Sequence, residues 1–156
     1  MSGPAESAAA AAAIAYRIVR HGPVTSVAEA AAAQGVEIQD LVKTLVVRRA
    51  GGEYVFVLVP GDRVISWPKL RALLGVNRLS LPDAATAKEA TGYERGTITP
   101  FGSAKPWPVI ADERTRGRTI NLGAGERGAG LQVAADDAVS ALGGTFADVT
   151  DPQPIR

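Results

Sequence analysis

The sequence predicts a single α/β domain of the α+β kind, in which helices surround a central, mixed and mostly antiparallel sheet. The chain has 156 residues, which is the length of one domain. Its composition, with 46% hydrophobic and 21% charged residues, is ordinary for a globular protein. Capped helical segments and β-branched runs follow one another without an internal repeat or a dividing linker. We expect residues 5–156 to form the domain and residues 1–4 to be a flexible tail.

The N-terminal segment of the domain is predicted to be helical. A first helix is expected from Ala5 to about Arg20, because Ile14 and Ile18 are four residues apart and would share one face. The segment Ser26-Val-Ala-Glu29 has the pattern of a capping box, in which each side chain bonds the other residue's backbone amide. It predicts the start of a second, short helix.

A β-hairpin is predicted next. Residues 41–49 form a β-branched, apolar run, residues 50–53 carry the glycines of a turn, and residues 54–59 form the returning strand. Ser66 then caps a helix that extends to Leu74.

The remaining elements are short and are separated by glycine, proline and capping residues. In chain order we expect a strand at 78–81, a helix capped by Asp83 that ends at Gly92, a shaped loop at 93–108, strands at 109–111, 119–122 and 131–134, a helix at 136–142 and a strand at 145–149.

Charge and composition exclude several classes of protein. The chain has no cysteine, which excludes disulfides and thiolate chemistry and predicts a reducing, cytoplasmic location. No segment is apolar enough to span a membrane, and the alanine-rich stretch at 8–13 lacks a basic leader. With a net charge of +1, binding to DNA through bulk charge is not expected, and any RNA contact must be local. Short basic strips are available for such contacts, namely Arg48-Arg49, Lys69 with Arg71, and Arg114, Arg116 and Arg118.

Familiar catalytic centres are also excluded. His21 is the only histidine, and no G-x-S-x-G turn is present, so neither a serine triad nor a histidine zinc site can form. A magnesium site built from carboxylates is less favoured than solvated turn residues but stays open, with four candidate ligands: Asp112, Glu113, Asp136 and Asp137. The G-x-G-x-x-G match at Gly123–Gly128 indicates a turn between two strands rather than a dinucleotide site, because a strand follows it. Such a turn can still direct several amide groups at one oxygen atom.

Lys43 is the most informative charged residue. A strand would place it on one face with Leu41, Leu45 and Val47, and an ammonium group there costs free energy unless it reaches water, an anion or a ligand. The pattern alone leaves two interpretations, a lysine that extends to solvent and a lysine in a pocket.

Three segments together resemble the YbaK/ProX family, the free-standing relatives of the editing domain of bacterial prolyl-tRNA synthetases. They are Val42-Lys43-Thr44-Leu45, the loop from Thr91 to Gly102, and the glycine turn Gly123–Gly128. Their order and spacing match the family, and the resemblance extends from about His21 to Val149.

The resemblance implies an aminoacyl-tRNA deacylase that acts in trans without a metal or a cofactor. The expected substrate is Ala-tRNA(Pro) or Cys-tRNA(Pro), bound by its aminoacylated 3′ end, with prolyl-tRNA synthetase as a possible further partner. Lys43 is the expected catalytic residue. The expected substrate-binding residues are Tyr93, Gly96, Thr97, Thr99, Pro100, Gly102, Gly125, Gly128 and His21. A non-catalytic tRNA- or synthetase-binding module is the main alternative, and an unrelated small-molecule hydrolase is another.

Two positions depart from the family pattern. Thr97 stands where many members carry a second glycine, so we expect it to narrow the pocket and favour small amino acids, unless its side chain points into the scaffold. Val19 lies about where some members have a tyrosine. His21 either contacts the substrate or caps the helix before it.

Overall fold

The computed structural model describes residues 3–154, which form five α-helices and nine strands. The helices are α1 (Pro4–Ala11), α2 (Val27–Gln34), α3 (Trp67–Leu74), α4 (Ala84–Thr91) and α5 (Ala135–Ala141). The strands are β1 (Tyr16–Arg20), β2 (Val42–Arg48), β3 (Tyr54–Pro60), β4 (Arg63–Ile65), β5 (Val109–Asp112), β6 (Thr119–Gly123), β7 (Ala129–Ala134), β8 (Thr145–Ala147) and β9 (Thr150–Pro152).

The strands form three sheets. A mixed sheet has the order β2-β3-β5-β8, with β2 and β3 antiparallel and the other neighbours parallel. An antiparallel sheet has the order β1-β7-β6, and β4 pairs with β9 in a two-stranded ribbon. A bridge between Leu41 and Asn121 joins the two larger sheets. The predicted α+β class with mixed, mostly antiparallel pairing is confirmed.

Strand β3 is buried on both faces and lies between two hydrophobic cores. Phe56 and Leu58 face the first core, which includes β6, β7 and α5. Val57 and Val59 face the second core, which includes Leu70 of α3. A strand covered on both sides needs a continuous apolar sequence, and the run Tyr54-Val-Phe-Val-Leu-Val59 meets that need.

Three helix starts predicted from capping residues are confirmed. Ser26 Oγ accepts from the Glu29 amide at 3.0 Å, Ser66 Oγ from the Lys69 amide at 3.4 Å, and Asp83 Oδ1 from the Thr86 amide at 2.7 Å. Only the serine half of the predicted capping box is present. The Glu29 carboxylate accepts from Thr25 Oγ1 at 2.7 Å, and not from the Ser26 amide as its pattern suggested.

The predicted helix from residue 5 to residue 20 is wrong in its second half. Helix α1 ends at Ala11, Ala13 has a φ of 59°, and Tyr16–Arg20 is strand β1 against β7. Ile18 lies in β1, and Ile14 precedes the strand by two residues. Their spacing of four fits a strand as well as a helix, because alternate residues of a strand share a face. Pairing with β7 decided the outcome, and both isoleucines pack against the first core.

Other boundaries also differ from the prediction. Residues 78–81 form no strand, and Ser80 makes only an isolated bridge to Arg48. Strands β4 and β9 were not predicted, since three-residue strands carry little pattern. The expected strand at 145–149 ends at Ala147. Pro4, assigned to the tail, is the first residue of α1, while Met1 and Ser2 lie outside the described residues.

Two leucines of α3 give a matched test of the second core. Leu70 is fully buried, whereas Leu73 is 50% exposed. We expect Leu70→Ala to lower the free energy of unfolding by about 2–5 kcal/mol, because it leaves a cavity. Leu73→Ala should change it by less than about 0.5 kcal/mol. Urea denaturation of both variants measures the difference, and equal losses would contradict this description of the core.

Candidate active site

A cleft of about 1050 Å³ is lined by strand β2 of the mixed sheet and by residues of β6 and β7 of the antiparallel sheet. Its other walls are the start of α4, the loop around Gly96 and the glycine turn that precedes β7. Val42, Val46, Ile98 and Leu122 contribute apolar surface to its lining, which also includes polar and charged residues such as Lys43 and Arg95. A concave, mainly apolar site with a few polar groups is the usual form of a ligand-binding site.

Four of the expected site residues line this cleft: His21, Lys43, Gly96 and Gly128. They come from four separate segments of the chain. The His21 amide donates to the carbonyl oxygen of Gly128 at 2.9 Å, which ties the segment after β1 to the glycine turn. His21 Nδ1 lies 2.9 Å from the carbonyl oxygen of Gly22, which can only accept, so Nδ1 is the donor in this contact.

Lys43 is half-buried on β2, opposite Val59 of β3. Its Nζ donates to the backbone oxygen of Arg63 at 3.0 Å. An ammonium group has three donors, so two others are available after this bond is made. Partial burial lowers the pKa of Lys43 below its ordinary value of 10.5, and the carboxylate of Asp62 opposes that shift. The side chain is therefore a charged donor held in a partly desolvated place.

The loop around Gly96 depends on glycine for its backbone conformation. Gly96 has a φ of 89°, in the left-handed region, although an added Cβ would meet no other atom within 4 Å. Gly125 has a φ of 80° and packs against Tyr93, whose ring carbon would lie 2.6 Å from an added Cβ. The Gly125 amide donates to the Thr97 carbonyl at 2.9 Å, so it is committed within the protein.

Six residues expected to bind substrate do not line the cleft in the structure. They are Tyr93, Thr97, Thr99, Pro100, Gly102 and Gly125. They belong to the support behind the cleft: Tyr93 Oη donates to the Phe101 carbonyl at 2.6 Å, and an added Cβ on Gly102 would collide with the backbone of Pro4. The family motif includes residues that shape this loop as well as residues that face the cleft.

Thr97 illustrates the difference. Its neighbours Gly96 and Ile98 line the cleft, whereas Thr97 is only 4% exposed and its Oγ1 donates to the Glu94 carbonyl at 2.7 Å. The side chain therefore lies within the loop, where it braces the turn. Residues that do line the cleft, such as Ile98 and Leu81, are in a better position to limit the size of a bound group.

Sequence reasoning missed two polar groups in the cleft wall. Thr44 Oγ1 is buried and has no hydrogen-bond partner among the residues that the structure describes. Asn121 is fully buried, donates to Gln34 Oε1 at 2.9 Å and accepts from Gln132 Nε2 at 3.0 Å. A polar residue inside the apolar strand Thr119–Gly123 was a signal that could have identified Asn121.

Two of the four residues considered for a metal site, Asp112 and Asp136, are engaged in other contacts. Within residues 3–154, no group of three or more histidines or carboxylates could hold a metal ion. Asp112 is buried and accepts from Arg114 Nη1 at 3.0 Å, while Asp136 Oδ1 accepts from the Gly117 amide at 2.9 Å.

Gly123–Gly128 connects the antiparallel strands β6 and β7, so the interpretation as a turn is confirmed. No helix between residues 3 and 154 has the length and apolarity needed to cross a bilayer.

Comparison with known proteins places the chain beside tRNA-editing proteins. EbsC of Enterococcus faecalis, which carries the name of a Cys-tRNA(Pro)/Cys-tRNA(Cys) deacylase, is 30% identical over 131 residues, covering 83% of this chain and 78% of that protein. The proline–tRNA ligase of Desulfovibrio desulfuricans is 36% identical over 135 residues, covering 84% of this chain but only 23% of the ligase.

Solved structures have the same fold. The hypothetical protein APE2540 superimposes with a TM-score of 0.87 at 29% identity, covering 96% of this chain and 100% of that one. A structure described as a trans-editing enzyme for prolyl-tRNA synthetase gives a TM-score of 0.87 at 24% identity, covering 97% and 99%. A model of the aminoacyl-tRNA editing domain matches residues 21–141, which include the cleft. The chain therefore belongs to the aminoacyl-tRNA editing domain family, as its resemblance to the YbaK/ProX proteins indicated.

Proposed function

We propose that this protein is a trans-editing hydrolase that removes the amino acid from mischarged aminoacyl-tRNA, with Ala-tRNA(Pro) or Cys-tRNA(Pro) as its substrate. One observation carries the proposal: Lys43, Gly96 and Gly128 meet in a single cleft of about 1050 Å³. Membership of the editing-domain family supports an aminoacyl-tRNA substrate. The relative EbsC, with its deacylase name, supports hydrolysis of the ester bond.

The chemistry that we propose is ester hydrolysis by water. The water oxygen attacks the ester carbonyl carbon, the bond to the ribose oxygen breaks, and that oxygen takes up a proton. Lys43 stabilises the negative charge that develops on the carbonyl oxygen, using donors that its bond to Arg63 leaves available. Backbone amides of the Gly96 loop and the Gly128 turn contribute further donors. A group of the substrate activates the water, because both carboxylates of the cleft lining are engaged in other bonds, Asp83 with the Thr86 amide and Glu126 with Arg20.

The other cleft residues have roles in binding. His21 contacts a hydroxyl group of the terminal ribose, since it belongs to the cleft lining. Ile98 and Leu81 pack against the amino acid side chain. An apolar surface of this kind favours alanine or cysteine over charged amino acids, because burying a charge without a partner is costly.

A panel of charged tRNAs tests the function. It contains tRNA(Pro) carrying alanine, cysteine, serine or proline, and alanyl- and cysteinyl-tRNA with their own tRNAs. We expect release from Ala-tRNA(Pro) or Cys-tRNA(Pro), with Pro-tRNA(Pro) left intact. Release from none of them would overturn the enzyme and favour a non-catalytic module, which binding of the same tRNAs would then identify.

Removal of the pocket charge should abolish most of the activity. We expect Lys43→Ala to lower kcat about 100-fold or more, because a charged donor to the transition state is lost. Thermal stability should hold, since a half-buried ammonium is replaced by a small apolar group. Lys105→Ala is the control, because that lysine is exposed and lies 5.5 Å above the Trp107 ring. A near wild-type rate for Lys43→Ala would show that the lysine has no catalytic role.

The pKa of Lys43 sets the alkaline limit of activity. Its charged form is the active one and burial lowers its pKa, so the rate should fall at a pH below the 10.5 of an ordinary lysine. Lys69 should instead titrate above 10.5, because the carboxylates of Asp148 and Asp151 raise its pKa. NMR titration of the lysine side chains, of which the chain has only four, measures both values. A Lys43 that titrates at or above 10.5 would contradict the burial described above.

Two exposed arginines at the cleft provide the contact with RNA. Arg95 and Arg127 both belong to the cleft lining, and the nearest carboxylate to Arg127 is 4.0 Å away. With so few clustered cations, the slope of log affinity against log salt should be shallow, roughly −2 to −4. The double variant Arg95→Ala/Arg127→Ala should weaken binding and bring the slope about 1–2 closer to zero. Arg17→Ala, at an exposed position outside the cleft, is the control. An unchanged slope in the double variant would place the RNA elsewhere.

A further inference from the structure

The two-stranded ribbon of β4 and β9 supplies the acceptor for the pocket lysine. Lys43 Nζ donates to the backbone oxygen of Arg63, the first residue of β4. Arg63 is opposite Pro152 in β9, and Ile65 is opposite Thr150. An isolated pair of such short strands is marginally stable at best, so the place of this carbonyl depends on further contacts.

The side chain of Arg63 makes those contacts. Its Nε donates to Thr150 Oγ1 at 2.7 Å, and its Nη2 donates to the Thr150 carbonyl at 3.2 Å. Arg63 thus holds Lys43 with its backbone and Thr150 with its guanidinium. Because both bonds of the guanidinium go to one residue, they fix the orientation of Arg63 as well as its distance from β9.

Thr150 is itself anchored by a buried carboxylate. It is fully buried, and its Oγ1 donates to Asp112 Oδ1 at 2.8 Å. Asp112 is also fully buried and accepts from Arg114 Nη1 at 3.0 Å. A guanidinium can only donate and an ionised carboxylate can only accept, so the threonine hydroxyl has a single orientation between them.

We propose that Thr150 is a positioning residue for Lys43, acting through Arg63. The inference rests on the proposed function, in which Lys43 carries the catalytic charge. Thr150 lies outside residues 21–141 that match the editing-domain family and outside the lining of the cleft. Neither the family nor the shape of the cleft therefore assigns it a role.

Positioning of this kind matters because lysine is a point charge on a flexible four-carbon stem. Its ammonium stays where its hydrogen bonds hold it. A displacement of about 1 Å in a catalytic group can reduce the rate by about 100-fold. A continuous series of hydrogen bonds runs from Asp112 through Thr150 and Arg63 to Lys43. These bonds hold the Lys43 ammonium in its place beside the cleft.

Substitutions at Thr150, with a matched control, test the inference in the full chain. Thr150→Val keeps the shape of the side chain and removes the hydroxyl, whereas Thr150→Ser keeps the hydroxyl. Thr115→Val is the control, because Thr115 is 1% exposed and its Oγ1 donates to the carbonyl of the same Asp112 at 2.8 Å without touching Arg63. Arg63→Met removes the guanidinium at a half-buried position and probes the same link if Thr150→Val fails to fold.

We expect Thr150→Val and Arg63→Met to lower kcat about 10-fold or more, with KM changed less than about two-fold. Thr150→Ser should restore the rate, and Thr115→Val should keep it despite a similar loss of thermal stability. If Thr115→Val lost as much activity as Thr150→Val, or if Thr150→Val and Arg63→Met kept the wild-type kcat, the inference would be overturned.

A spectroscopic measurement decides the question independently of activity. In ¹⁵N-edited NMR spectra of the lysine ammonium groups, the Lys43 signal should show slow hydrogen exchange because it is bound to Arg63. Its loss in Lys43→Ala assigns it. The slow exchange should disappear in Thr150→Val and Arg63→Met and persist in Thr115→Val. Persistence in the first two variants would overturn the positioning role, even if no tRNA substrate were ever deacylated.

Discussion

Burial of β3 on both faces is the constraint on which the rest of the structure depends. All seven of its residues are buried, so one layer must cover Phe56 and Leu58 while another covers Val57 and Val59. The β1-β7-β6 sheet and α5 belong to the first layer, and α3 belongs to the second. Strand β2 pairs with β3 at the edge of the mixed sheet, which brings Lys43 beside both the cleft and the β4–β9 ribbon.

The cleft is a consequence of this arrangement. Strand β2 of the mixed sheet and strands β6 and β7 of the antiparallel sheet line one space, and the bridge between Leu41 and Asn121 connects the two sheets beside it. Glycine-containing loops close that space without filling it, since Gly96 and Gly128 take left-handed conformations that other residues rarely adopt. Side chains from the same loops, such as Tyr93 and Thr97, turn away from the cleft and brace the loops against the core.

The ammonium of Lys43, in the cleft lining, needs a hydrogen-bond acceptor, and a residue outside the lining provides it. The ammonium of Lys43 has its only described acceptor in Arg63, whose guanidinium is bound to Thr150. This support reaches Asp112, a fully buried carboxylate whose ion-pair partner Arg114 is 37% exposed. A buried carboxylate that loses its donors destabilises the protein, so the bonds that Asp112 accepts from Thr150 and Val149 hold β9 in place. Hydrogen bonds thereby connect the cleft to strand β9, although about a hundred residues separate Lys43 from Thr150 in the sequence.

The sequence by itself determined the elements whose signals are local. Ser26, Ser66 and Asp83 cap helices because their side chains reach an amide three residues on, and the apolar run of β3 predicted the returning strand of a hairpin. Strand pairing and side-chain direction depend on residues that are distant in the sequence, so only the tertiary structure decided them. Ile14 and Ile18 fit a helix or a strand, and pairing with β7 selected the strand. The family motif identified the loop after Thr91, but packing against the core determined that Gly96 faces the cleft while Thr97 faces the loop. Side-chain direction and the pairing of three-residue strands such as β4 and β9 depend on contacts between residues far apart in the chain, and no local pattern encodes those contacts.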